Sequence, residues 1–392
     1  MTGRTLLGAA DVPDVRLAEM VADSLGVPHV ELLTCSAEVA AYDIEALTTA
    51  GRYWVRGTAC HDGVTTAFSF FVKVVQSWSR SPAFAMVPQS LREAAEASLP
   101  WRTEPALYRS DLGDRLPQGL SMPRAYAVLD VDDESAAMWL GAVEVDVARW
   151  GGRTFERAAY LLGRLAVSPS VAPLQAVGNR DVVRRYADGR VAHQVLPALR
   201  SNELWAHPLV AGAFSAELRA RLLEAAQSLT GLVDELDAAP VGTAHGDACP
   251  RNLLVARGAP DDFVLIDFGF WSRAPLGFDL TQLLLGELQL GQRPSSELAE
   301  LEEVCLGAYV RGLRDEGCTV PVETVRRAHA ILMLLFWGLS AVPLEVMFGR
   351  AGPGAPSVVR ERARAADFVL DLVEGTSPST STSTALRPGV PS

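Results

Sequence analysis

HGDACPRNLL, residues 245–254, and VLIDFGF, residues 264–270, carry the densest chemistry in this chain. The first run places an aspartate, Asp247, five positions before an asparagine, Asn252. The second is an apolar strand that ends in Asp267, fifteen residues after Asn252, with the turn RGAPDD between them. A carboxylate such as Asp247 can orient and deprotonate an attacking hydroxyl. The amide oxygen of Asn252 and the carboxylate of Asp267 are hard oxygen ligands, the kind Mg²⁺ takes alongside substrate phosphates. Phosphoryl transfer asks a protein mainly for positioning and charge neutralisation, and this set can supply both.

The spacing HxDxxxxN followed by a strand ending in aspartate is similar to the motif pair of the protein-kinase-like fold. The HGD opening resembles the aminoglycoside phosphotransferase and choline kinase-like branch. The resemblance implies ATP or GTP as phosphoryl donor, Asp247 as catalytic base, Asn252 and Asp267 as Mg²⁺ ligands, and His245 as a buttress of the loop. It also implies that Asp279, in GFDLTQLL, braces the loop through backbone contacts. Read from its own surroundings, Asp279 is an N-cap for a helix starting at Leu280 or Thr281, and the two roles can coexist.

Lys73, in FFVKVV, is the only lysine in the chain. A charge in such an apolar run is costly unless paired or able to reach water. The resemblance implies that Lys73 contacts the α- and β-phosphates and is held by a glutamate of the next helix. Glu104, in WRTEPALYRSDL, is the candidate, with Glu93 and Glu96 as alternatives. LTTAGR, residues 47–52, is the best place for a phosphate-covering loop, through its backbone N–H groups and the Thr48 and Thr49 hydroxyls. An ordinary hairpin turn accounts for it equally well.

Two departures separate the chain from protein kinases. Gly246 and Cys249 stand where those enzymes carry arginine and lysine, and only eleven residues separate Asp267 from Asp279, too few for an activation segment. A small hydroxylated acceptor follows: an aminoglycoside-like antibiotic, an amino alcohol or a sugar. Arg251 is the candidate to replace the missing lysine at the transferring phosphate. Cys249 has no activating neighbour in sequence and is read as loop packing. The alternative reading is a pseudokinase-like nucleotide or partner-binding module without turnover, although Asp247, Asn252, Asp267 and Lys73 are all present.

The fold class expected is α+β and bilobal. Short β-prone runs fill about 30–75, with HDG, 61–63, as a hairpin turn, and two more strands follow at 123–130 and 136–145. Helices are expected over 154–167, over a single long span from 215 to 236, and through most of the chain after 279. This divides the chain into an N-lobe, 1–142, a C-lobe, 143–374, and a disordered Ser/Thr/Pro-rich tail, 375–392. The C-terminal helices and the segment 168–213 are expected to wall the acceptor pocket. Trp205, Trp271 and Trp337 are candidate lining residues, with core packing the commoner fate of such side chains.

Net charge is −12 at pI 5.1, which argues against nucleic acid and anionic membranes as partners and leans toward a cationic acceptor. Five cysteines without a CxxC pair, and an N-terminus that does not read as a signal peptide, suit a cytoplasmic protein. AILMLLFWGLSAVPL, 330–344, is shorter than the ~20 residues a span needs and reads as buried core.

Overall fold

The computed structural model describes residues 3–41, 47–146, 150–178, 180–344 and 355–377. Its first half is built on a five-stranded antiparallel sheet: β1 (Glu31–Val39), β2 (Thr49–His61), β3 (Val64–Gln76), β5 (Ala125–Asp132) and β6 (Ser135–Gly141), in the order β1-β2-β3-β6-β5. A two-residue strand, β4 (Leu120–Ser121), precedes β5 in the chain but joins a different sheet.

Alternation along β3 explains why the sheet has two cores. Phe68, Phe70 and Val72 face the Asp14–Leu25 helix, where they bury with Leu17, Met20, Val21 and Trp139. The Trp139 indole N–H donates to the Ala10 carbonyl at 2.9 Å and ties the N-terminal segment to this layer. Phe71, Lys73 and Val75 point the other way, toward the helical half. The β2–β3 turn is Asp62-Gly63 with φ of 48° and 78°, the doubly left-handed turn that matches strand twist. Within the β-prone span expected over about 30–75, residues 42–46 lie outside the described residues.

The helical half holds Gly152–Val167, Phe278–Gln289, Leu298–Asp315, Val322–Phe336 and Ala355–Gly375 around one apolar core. The single long helix expected over 215–236 is two, Ala216–Gln227 and Leu229–Asp237. The break falls at Ser228, where ψ flattens to −3°. The buried positions are Leu218, Leu222 and Ala226 on the first helix and Leu229, Val233 and Leu236 on the second. Trp205, Trp271 and Trp337 all pack inside this core rather than lining an open pocket. Each is large enough to need an interior site, and the indole N–H groups of Trp205 and Trp271 find the carbonyls of Leu199 and Leu174. Among the described residues no helix is long and apolar enough to cross a membrane.

The second sheet hinges the two halves together. β8 (Leu253–Ala256) and β9 (Ala259–Leu265) form a hairpin, and β4 adds to β9 in parallel. The connector after β6 is pinned on the same hairpin: Val145 bridges Ala256, Asp146 N–H donates to the Val255 carbonyl and Arg257 N–H to that of Glu144, both at 3.1 Å. β7 (Val241–Ala244) and β10 (Ser272–Pro275) make an antiparallel pair beside it. Neither of these strands, nor β4, is anticipated by the sequence pattern.

His329 is fully buried on the Val322–Phe336 helix, and burial, with the Arg326 charge nearby, holds its imidazole down to about 4. The native state therefore stays neutral where the unfolded chain, titrating near 6.5, takes up a proton. The resulting stability is present above pH 6.5 and is lost as pH falls toward 4, worth at most roughly 3 kcal/mol. Urea midpoints measured from pH 7.5 to 4.5 should fall less steeply in His329→Leu than in the wild type, by the equivalent of one proton. Parallel curves would assign acid sensitivity to other groups.

Candidate functional site

The loop of residues 245–252 is suspended between β7 and β8, and a single carboxylate sets its entry. Asp279 accepts the His245 backbone N–H at 2.9 Å on one oxygen and that of Gly246 at 2.8 Å on the other. It does not cap its helix. That helix begins one residue earlier, at Phe278, behind Gly277 with φ of 94°, so the Asp279 side chain is free to turn inward. Burial lifts its carboxyl to about 6 against the pull of the two N–H groups.

His245 is buried as well. Its Nδ1 accepts from the Asp247 N–H at 3.3 Å, which leaves Nε2–H to donate to the Ile266 carbonyl at 3.0 Å. Burial pushes its pKa down to about 4, so it is a neutral strut between the loop and the strand that delivers Asp267. It contacts backbone rather than the cleft, and we class it as a positioning residue.

Gly246 has φ of 89°, and a Cβ there would lie 1.9 Å from the Phe270 carbonyl oxygen. The loop thus lies directly on the Phe268–Phe270 turn, with no space for a side chain. Asn252 spends both amide hydrogens on Asp247, on its carbonyl and on Oδ2, at 2.9 Å each. Its amide oxygen and the second Asp247 carboxylate oxygen are thereby left for other partners. Burial, then the Asp267 charge, raises the Asp247 carboxyl to about 6 despite the Asn252 bond. A base poised there is ionised at neutral pH and still accepts a proton well.

Asp267 follows β9 in a left-handed conformation, φ 63°, which aspartate tolerates better than most side chains. Lys73 crosses the cleft to meet it, with Nζ 3.0 Å from Asp267 Oδ1 and 2.6 Å from Glu104 Oε2. Glu104 stands in the first turn of the Thr103–Tyr108 helix. Glu96 instead accepts from the Ser77 hydroxyl, and Glu93 sits with it on the separate Arg92–Ser98 helix. Burial alone would discharge Lys73, but the two carboxylates outweigh it and hold its pKa above the usual lysine value. Burial likewise opposes the charge on Asp267, and Lys73, followed by Arg52, prevails and keeps it below the ordinary aspartate value.

Thr48 and Thr49 line the same cavity as Lys73, Glu104, Asp267 and Phe270. The run 47–52 is not a tight hairpin: β1 ends at Val39 and β2 starts at Thr49. Arg52 was not singled out in the sequence. It lies directly across from Lys73 in the β2–β3 register, on the cleft face, with Nη2 3.5 Å from Thr49 Oγ1. Counting two-residue alternation from Lys73 across the Asp62-Gly63 turn would have found it.

Arg251 belongs to the loop, is exposed, and has no ion-pair partner among the described residues. The Cys249 thiol is pushed up to about 12 by burial and the Asp247 charge, so it is no nucleophile. It packs where the Phe278–Gln289 helix comes closest: a Cβ on Gly286 would lie 2.9 Å from the Cys249 Cβ.

A small antiparallel lobe, a helical lobe, and between them an ion-paired lysine facing an Asp–Asn loop define a bilobal, protein-kinase-like phosphotransferase. Residues 112–312 match the model of the phosphotransferase enzyme family, 201 of the 392 residues, and the chain belongs to that family. The family match places it among the phosphotransferases. The match spans residues 245–252, Asp267 and Asp279 but not Lys73 or Glu104.

No curated protein matches the sequence. Among solved structures, an aminoglycoside phosphotransferase from Alicyclobacillus acidocaldarius subsp. acidocaldarius DSM 446 is similar at 16% identity and a TM-score of 0.50, over 86% of this chain and 97% of that one. The spectinomycin phosphotransferase APH(9)-Ia, in complex with ADP and spectinomycin, is similar at 12% identity and 0.45, over 93% and 98%. Choline kinase LicA from Streptococcus pneumoniae is similar at 14% and 0.41, over 90% and 97%. At these identities the likeness is one of fold.

Proposed function

We propose that the chain passes the γ-phosphoryl group of ATP or GTP to a hydroxyl of an amino alcohol, a hydroxylated antibiotic or a sugar. The observation that carries this is the Lys73 ammonium held between Glu104 and Asp267, beside a loop in which Asn252 fixes Asp247. Asp247 orients the acceptor hydroxyl and takes its proton as the oxygen bonds to phosphorus and the nucleoside diphosphate leaves. Lys73 fixes the α- and β-phosphates, with Thr48 and Thr49 at their edge.

The Asn252 amide oxygen and the Asp267 carboxylate are a hard donor set that fits Mg²⁺. Bound there, the ion would neutralise charge on the phosphate oxygens. The acidic balance of the chain favours a cationic acceptor. All five cysteines are free, which supports a reducing compartment such as the cytoplasm.

Lys73 is already offset by two carboxylates, so the triphosphate needs further positive charge. Arg52 supplies it from the roof of the cleft, and Arg251 from the loop. The two should separate kinetically. Arg52→Ala should raise the KM for ATP about tenfold with a small change in kcat, the loss expected for one charge-assisted contact. Arg251→Ala should lower kcat far more than it weakens ATP binding. Unchanged constants in either variant would remove that residue from the mechanism.

The function itself is tested by nucleoside diphosphate release from Mg-ATP and Mg-GTP against a panel of aminoglycosides, other hydroxylated antibiotics, amino alcohols and sugars. Release that depends on one acceptor names the substrate class. Nucleotide binding without acceptor-dependent release across the panel would favour a binding module.

A further inference from the structure

At the end of the N-lobe sheet remote from the cleft, His29 meets His61 and Asp62. His29 lies between the Asp14–Leu25 helix and β1, and the other two form the tip of the β2–β3 hairpin. One candidate ligand atom from each residue, two imidazole nitrogens and a carboxylate oxygen, fall within 4.8 Å of one another. His61 Nε2 is 3.4 Å from Asp62 Oδ2. That is close to the edge, about 3.3 Å, of a tetrahedron with metal–ligand bonds of about 2.0–2.1 Å.

The fold brings the three together. Glu31 pairs with Cys60 across β1 and β2, and two residues further out the same register sets His29 beside Asp62. The two imidazoles meet edge to face, centroids 5.1 Å apart, and do not stack. His61 Nδ1 is buried without a hydrogen-bond partner, while its Nε2 faces the Asp62 carboxylate. Two of the chain's six histidines are spent at this one tip.

We propose that His29, His61 and Asp62 bind one divalent transition-metal ion of the zinc class, with water completing its coordination. Imidazole nitrogen suits zinc and its neighbours and not the magnesium of the cleft. Lys73 lies eleven residues along the hairpin from Asp62, roughly 36 Å at ~3.3 Å per residue. The ion is therefore a clip that fastens the chain entering β1 to the hairpin, and it takes no part in phosphoryl transfer.

Chelator-stripped protein titrated with zinc chloride, by calorimetry and by thermal melting, tests this in the wild type, His29→Ala, His61→Ala and Asp267→Asn. The wild type and Asp267→Asn should each bind zinc at this tip, with the thermal midpoint rising by about 5 °C at saturating zinc. The two histidine variants should melt like the wild type when metal-free and lose both the tip site and the shift. Zinc binding that disappears only in Asp267→Asn would place the ion in the cleft and overturn the proposal. So would binding and a shift that survive in both histidine variants, or no zinc binding at all.

Discussion

Asp247→Asn is expected to lower kcat by about 10²–10⁴-fold, the range for loss of a positioned general base, while the KM for ATP and the thermal midpoint barely move. The reason lies in how the loop is tied. Asn252 donates to the Asp247 side chain and to its backbone carbonyl, and an asparagine oxygen at 247 can still accept the first of these. His245 and Asp279 hold the loop through backbone groups the substitution leaves untouched. Only the charge and the proton-accepting capacity are lost. Residual turnover should persist, because positioning and charge neutralisation carry much of phosphoryl transfer.

The pH profile sharpens the test. In the wild type, kcat/KM should fall as pH drops through the Asp247 carboxyl, at or below about 6, because a divalent cation beside the group favours its charged form. In Asp247→Asn that acid limb should be gone. A variant with wild-type kcat would remove Asp247 as the base.

Gly246→Ala should be strongly damaging for a single added methyl, because a positive φ and a backbone clash coincide there. At φ of 89° an alanine pays about 1–2 kcal/mol for its backbone alone. Its Cβ would also lie 1.9 Å from a backbone oxygen of Phe270, where no side chain can rotate away. The loop or the Phe268–Phe270 turn must shift, and either shift disturbs the Asp279 and His245 bonds that aim Asp247. We expect a destabilisation of about 3 kcal/mol or more by urea denaturation and a loss of kcat of at least about a hundredfold. Gly258→Ala is the matched control: φ is 72°, but nothing lies within 4 Å of its would-be Cβ. It should cost about 1 kcal/mol and leave kcat unchanged. Equal losses in the two variants would show that backbone conformation, and not the contact with Phe270, makes glycine necessary at 246.

That contact also accounts for the departure from the protein-kinase pattern. The sequence shows glycine at 246 where an arginine stands in those enzymes. It does not show that the Phe270 carbonyl occupies the space. Glu104 presents the same limit. Three glutamates within twelve residues of one another were candidates, and all lie in helical or turn-rich sequence. The short helix that starts at Thr103 aims Glu104 at Lys73, while Glu96 faces Ser77. Asp279 was legible as a brace by resemblance and as an N-cap by local pattern. The positive φ of Gly277 starts the helix early enough that the brace is the role it takes.

The contiguous parts of the site could be read directly: His245 to Asn252, the strand ending at Asp267, and Lys73 as a lone charge in an apolar strand. Each depends on residues near in sequence, where strand ends and tight loops place functional groups with little help from the rest of the chain. The bilobal order of strands before helices was readable for the same reason, since periods of two and of three to four are local signals. Arg52 opposite Lys73, the choice of Glu104, the burial of the three tryptophans, the break at Ser228 and the space denied to a side chain at Gly246 were not. They are settled by strand register and by the packing of one lobe on the other, which join residues up to 194 positions apart, as in the Lys73–Asp267 pair, and leave no periodic trace in the chain.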